Sequence, residues 1–236
     1  MAEYSVLTFD ELNRLGKKPR SMQIDKYFDE MDLSDEQKEE RKSLAEDIED
    51  IMLDFMVAAA LALNNNSVVE VLLAAYLVKD LTSAYVKYEI PESFAVSYAA
   101  RIAPEIVRAT FANINGRRVD AVRERTAEGT SDSESISNKY YLSEDRARLI
   151  GEEEANTAFN DKDYEDAVAA GFTHKRWRSM RDKRVRPTHQ EADGQVVAID
   201  EMFQVGEAQM MFPRDVINAE EYPEEICGCR CVVEYI

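Results

Sequence analysis

From Ser34 to about Glu128, apolar residues recur at helical spacing; beyond that they fall in short runs separated by turns. Leu44, Ile48, Ile51, Met52 and Phe55 share one face with acids between them, which predicts a first helix. Ser34-Asp35-Glu36-Gln37 reads as its capping box, the serine hydroxyl meeting an orphan backbone N–H while the glutamine reaches back. Asn64-Asn65-Asn66-Ser67 is a turn and a fresh N-cap, and Val68, Val71, Leu72, Ala75 and Tyr76 mark a second helix. Ile90-Pro91 ends it, because the residue before a proline avoids the α region. Pro91 then suits the first turn of a third helix, with Phe94, Tyr98 and Ile102 on one face. Pro104 is expected to bend or restart that helix near Ala103. These Tyr and Phe stripes are read as core.

Gly129 to Asn138 is polar and turn-rich, a linker or exposed loop. A helix capped by Ser143 is expected to run towards Asn160, and a shorter one from Asp163 to Ala170, ending at Gly171. Past Gly171 the pattern shortens. Trp177, Met180 and Val185 punctuate a charged stretch of strand and turn, and Asp193-Gly194 signals a tight turn before the strand Val196 to Ile199. Cys229 to Ile236 closes the chain as a β-branched strand. The expectation is an α+β protein: a helical region at 1–130 whose residues 1–32 form a flexible arm, a linker at 131–142, and a small α+β domain with short antiparallel strands at 143–236.

The 236 residues suffice for a sizeable core, and 45% hydrophobic with 32% charged residues is ordinary for a soluble chain. No run approaches the ~18–20 apolar residues of a membrane span; the richest, Ile51 to Leu63, carries Asp54. Met1 to Asp10 does not resemble a secretory signal, so a cytoplasmic origin is expected. The net charge of −18 disfavours nucleic acid as a partner of the whole surface. Yet seven Lys or Arg (175, 176, 178, 181, 183, 184 and 186) face one acid, Asp182, between Lys175 and Arg186. That segment predicts a localised contact with phosphate or with an acidic partner, through Lys175, Arg176, Arg178 and Arg181. The three cysteines, Cys227, Cys229 and Cys231, lie within five residues. An odd count in a reducing compartment argues against a disulfide framework. On a strand, residues two apart would project all three sulfurs from one face.

Trp177, the run Arg181-Asp182-Lys183-Arg184-Val185-Arg186, His189, the turn Asp193-Gly194, Pro213 and the closing Cys229-Arg230-Cys231 follow one another in a set order. Over about residues 146–236 this block resembles the MuF-like domain of tailed-phage minor head proteins, whose core motif maps onto Trp177, Asp182, Arg184, Arg186, His189, Asp193 and Gly194. Two departures stand out. Ile150-Gly151-Glu152-Glu153-Glu154 carries an acid where the family commonly has an arginine, and Cys227-Gly228 stands where an asparagine often precedes the second motif. The resemblance implies a structural virion protein of the head, associated with the portal and other capsid proteins inside the capsid near the portal vertex. Its implied role is head assembly, or packaging or delivery of DNA, with no membrane partner.

The chemistry of the block has three readings. Asp182, Arg184, Arg186, His189 and Asp193 suit a charge-assisted hydrogen-bond network without any cofactor. The alternative cofactor is a structural zinc ion on His189, Cys229 and Cys231, with Cys227 or His174 as the fourth ligand. A nuclease or toxin-like enzyme would use His189 as acid or base, but no nucleotide-binding, serine-hydrolase or zinc-protease motif accompanies it, and no toxin domain is expected after Ile236. A nucleic-acid-binding module, with Trp177 stacking on a base, is the remaining rival.

Overall fold

The computed structural model describes residues 27–62, 68–127 and 142–236. The turn expected at Asn64 to Ser67, the linker around Gly129 to Asn138 and most of the expected arm lie outside these residues. The fold is α+β. Two compact units divide the chain, one including Glu46–Gly151, the other formed by Met22–Ala45 with Glu152–Ile236. The start of the first long helix therefore belongs with the C-terminal block.

The first unit is helical. It takes most of α1 (Asp35–Ala62), all of α2 (Val68–Lys87) and α3 (Glu92–Ala127), and the start of α4 (Glu144–Ala170). Ile48, Met52, Phe55, Met56 and Ala59 are buried along α1 at the spacing of one helix face. On α2 the buried residues are Leu77, Leu81, Ala84 and Tyr85, whereas Val71, Leu72 and Tyr76 are exposed. The face expected to be core is thus displaced: the first turns of α2, apolar except for Glu70, contain more than one face with helical spacing, and spacing alone does not choose between them. On α3, Tyr98 stacks on Phe94 at 4.9 Å and approaches Tyr85 at 6.0 Å. Pro104 sits inside α3 and does not restart it. The bond it cannot donate is one among many, and the burial of Ile102, Ala103 and Val107 on either side holds the helix together.

Several caps match the expectation. Gln37 N–H donates to Ser34 Oγ and Ser34 N–H to Gln37 Oε1, both at 3.2 Å, and Arg146 N–H donates to Ser143 Oγ at 3.3 Å. At the end of α4, Gly171 N–H reaches Val168 O and Phe172 N–H reaches Ala167 O, each at 3.1 Å, the two bonds of a Schellman ending. The two helices expected between Ser143 and Ala170 are one. Asp161 and Lys162 at the supposed break contain no breaker, and Lys162 pairs with Asp166 one turn on at 2.7 Å.

The second unit packs α4 with two small sheets. In the first, β1 (His174–Arg178) lies between β2 (Val196–Ala198) and β5 (Val232–Tyr235), antiparallel to both, with Trp177 opposite Val233. The second is a hairpin, β3 (Phe203–Val205) and β4 (Ala208–Met210). Two short helices, α5 (Pro187–Ala192) and α6 (Pro223–Ile226), both open on proline. The apolar core gathers Trp177, Phe203, Val205, Met210, Ile226, Cys229 and Cys231. The terminal strand is shorter than expected, because Cys227 to Cys231 is a turn leading into β5.

Candidate functional site

Three local structures converge on the sulfurs. Pro187 fixes the first turn of α5 and so presents His189, 2% exposed, to the interior. Pro223 does the same for α6, which ends at Cys227. Gly228 then adopts φ +66°, a value that strains any side chain, and the chain turns inward. Cys229 and Cys231, each 2% exposed, enter the core on either side of Arg230, while Cys227 stays outside.

His189 Nδ1 lies 3.3 Å from Cys231 Sγ and 3.6 Å from Cys229 Sγ. Its Nε2 lies 3.0 Å from Glu225 Oε2, which also accepts from Thr188 Oγ1 at 2.8 Å. A carboxylate only accepts, so in the neutral imidazole the ring proton sits on Nε2 and Nδ1 turns its lone pair to both sulfurs; in the protonated ring Nδ1 donates to them instead. The Trp177 ring meets the His189 imidazole edge-on at 5.7 Å and Phe203 at 5.3 Å. Burial pulls His189 down, but the hydrogen bond and charge of Cys229, with the charge of Glu225, outweigh it and raise the imidazole above its usual value. The sulfurs split. A hydrogen bond from Cys231, joined by that from His189, holds Cys229 well below the ordinary thiol range despite burial, whereas Cys231 is driven up because it keeps the proton that Cys229 accepts.

A polar frame surrounds this centre. Cys229 O accepts from Tyr27 Oη at 3.2 Å and from Asn156 Nδ2 at 3.4 Å. Arg230 bridges Asp182 at 2.8 Å and Glu30 at 3.2 Å, and Arg184 pairs with both acids. Asp182 is held below the usual carboxylate range, chiefly by the Arg230 hydrogen bond. Asp193 accepts from Ser179 N–H and from Arg181 Nε, each at 2.8 Å, while Gly194 N–H donates to Trp177 O at 2.8 Å from φ +83°. Buried Arg214 donates to Thr157 Oγ1 at 2.9 Å and Ile226 O at 3.0 Å, and faces Glu153 at 3.6 Å.

Residues 106–234, more than half of the chain, match the family described as Phage Mu protein F like protein. The chain belongs to this family of phage head proteins. No curated protein and no solved structure matches it. The match starts inside α3, well before the block that carries the resemblance, so the MuF-like region includes residues of both units.

The motif residues of this MuF-like chain come together in part. Trp177 and His189 line the centre; Asp182, Arg184 and Asp193 belong to the frame; Arg186 bonds Cys227 O. Of the expected metal ligands, His189, Cys229 and Cys231 form a cluster with ligand atoms all within 4.8 Å. Cys227 is not part of it, because the turn at Gly228 breaks the strand that would have aligned all three sulfurs. His174 is exposed at the start of β1, its Nδ1 3.0 Å from Thr173 Oγ1. The basic segment is largely engaged internally. Lys175 is fully buried, its Nζ over the Tyr164 ring at 4.9 Å and the Phe203 ring at 5.3 Å, so it offers no surface contact. Desolvation lowers it to about 8. Arg176 pairs with Glu234 at 3.0 Å, Arg178 with Asp32 at 3.3 Å, and Arg181 with Asp193 at 2.8 Å.

Glu225, Arg214 and Glu30 were missed by sequence reasoning. Glu225 sits among other acids with nothing to single it out, and Glu30 falls in the expected arm. Arg214 did carry a signal: an arginine beside Pro213 in a stretch short of other cations.

Proposed function

We propose that this protein is a structural minor capsid protein that joins the head at the portal vertex and acts from inside it in assembly, or in packaging or delivery of DNA, without catalysing a reaction. Membership of the Phage Mu protein F like family carries this reading. Its partners are then the portal and other capsid proteins, and its location is the virion. The internal pairing of Arg176, Arg178 and Arg181 supports a protein partner over DNA, since those charges already have carboxylate partners. His189 is 2% exposed and flanked by two thiols, and this burial argues against an acid–base role on a large substrate. No helix among the described residues is long and apolar enough to cross a membrane.

Co-expression with the cognate portal, followed by size-exclusion chromatography, tests the proposal. Co-elution at a fixed ratio is expected. Separate elution at high protein concentration, or absence from purified heads, would overturn it. A DNA and RNA cleavage assay beside His189→Ala should show no activity in either protein.

A further inference from the structure

We propose that His189, Cys229 and Cys231 bind one zinc ion, the histidine through Nδ1 and both cysteines as thiolates. The claim is independent of the portal assignment and rests on geometry. Three donors from two segments forty residues apart in sequence present their ligand atoms within 4.8 Å of one another in the core. With Zn–S of about 2.3 Å and Zn–N of about 2.0–2.1 Å, tetrahedral coordination sets an N···S edge of roughly 3.6 Å. The observed edges are 3.3 and 3.6 Å. The side chains are already spaced for an ion.

The surroundings are those a bound metal requires. A ligating imidazole needs its second nitrogen held, and Glu225 holds Nε2 at 3.0 Å while Thr188 holds Glu225. The indole N–H of Trp177 is buried with no hydrogen-bond partner of normal geometry. A metal-bound sulfur keeps its negative charge and is the acceptor this orphan donor lacks. The turn presenting Cys229 is fixed by the bonds from Tyr27 and Asn156 to its carbonyl. Two sulfurs and one imidazole in an apolar setting suit zinc and exclude calcium or magnesium, which take oxygen ligands.

The ion would join α5 to the turn before β5 and leave its fourth position to water or another small ligand. Because the ligands must lose protons, affinity falls in acid, and binding adds to the stability of the second unit.

The test uses the full chain, purified from zinc-replete cells without chelator. One zinc per chain is expected, and replacement by Co(II) should give the near-ultraviolet charge-transfer band of cobalt–thiolate bonds. Cys227→Ser should keep both signals. Glu225→Gln should weaken zinc about 10- to 100-fold in a chelator competition. Cys231→Ser should abolish the band; should that variant not fold, protection of two thiols in the unaltered protein from a thiol reagent by zinc, reversed by chelator, gives the same answer. Substoichiometric zinc in the unaltered protein with no cobalt band, or loss of binding in Cys227→Ser, would overturn the assignment.

Discussion

The two units achieve stability by different means. Among the described residues of the helical unit the interior is almost entirely apolar, with Ile48, Met52, Leu81, Tyr85, Ile102 and Phe111 in rows, and few charged side chains are taken out of water. In the second unit Lys175, His189, Arg214, Asp215, Glu225 and Arg230 are all buried around a modest apolar core. A row of hydrophobes tolerates exchange so long as volume is kept. A buried polar frame is less forgiving, since removing one partner leaves the other desolvated and unpaired. The difference implies that the second unit gains its shape from a set of specific pairs, and that single polar substitutions there should equal or exceed the largest apolar ones in the helical unit.

Arg214 is the place to break that contrast. It is 2% exposed, holds Thr157, Ile226 and Glu153, and occupies a left-handed φ of 65° that these bonds help to hold. Arg214→Ala keeps the backbone strain and removes a buried charge from Thr157, Ile226 O and Glu153 together, the last two keeping only the N–H groups of Cys229 and Gly228, at a cost of about 3 kcal/mol. Leu81→Ala on α2 should cost about 2–5 kcal/mol by leaving a cavity. Amide exchange should locate the losses differently: in β1, α5 and β5 for Arg214→Ala, in α2 and α3 for Leu81→Ala. Identical protection patterns for the two variants would dissolve the distinction.

Gly206, in the hairpin between β3 and β4, gives a smaller effect aimed at the site. Its φ is +60°, and a Cβ would come within 2.8 Å of Glu225 Oε1 and 3.0 Å of Thr188 Cγ2. Gly206→Ala should therefore cost about 1–2 kcal/mol from backbone conformation alone. It should also push the carboxylate off His189, lowering zinc affinity together with stability. A variant that loses stability but binds zinc unchanged would show that Glu225 does not orient the imidazole.

The same contrast explains what the sequence disclosed. Features that depend on neighbours in the chain were legible: the Ser34 capping box, the Ser143 cap, the ending at Gly171 and the turn at Asp193-Gly194. His189, Cys229 and Cys231 were legible as a chemical set because few residue types bind zinc, and the structure gathers them. What spacing could not provide was non-local. Glu225 becomes significant only when α6 reaches α5, and Glu30 only when Arg230 lies beside it. The alignment of Cys227 with its neighbours failed because one left-handed glycine outweighs the strand propensity around it.

Asp161, in the second unit, turns the burial of polar groups into a pH dependence. Burial pushes its carboxyl up to about 7, with repulsion from Glu165 and Asp215 adding to the effect. The folded state then keeps a proton that the unfolded chain releases near pH 4. Between about pH 4 and 7 the unfolded state binds fewer protons, so stability declines as pH rises and stays lower above that window. Asp161→Asn removes the ionisation while keeping the shape. It should raise the melting temperature at pH 8 and leave it unchanged at pH 4; an equal shift at both would mean that ionisation is not the cause.

The smallest effect is expected where the sequence pattern pointed to the wrong face. Val71 and Tyr76 have the spacing of a buried stripe on α2, yet are 71% and 64% exposed, whereas Leu77 and Leu81 are buried. Exposed positions away from caps and ion pairs usually change stability by no more than about 0.5 kcal/mol. Val71→Gln and Tyr76→Gln should therefore leave the denaturant midpoint of the helical unit nearly unchanged, while Leu77→Gln should lower it sharply by burying an amide without partners. A loss above about 2 kcal/mol from Tyr76→Gln would mean that its ring is buried in the folded unit, and the inward face of α2 would have to be reassigned.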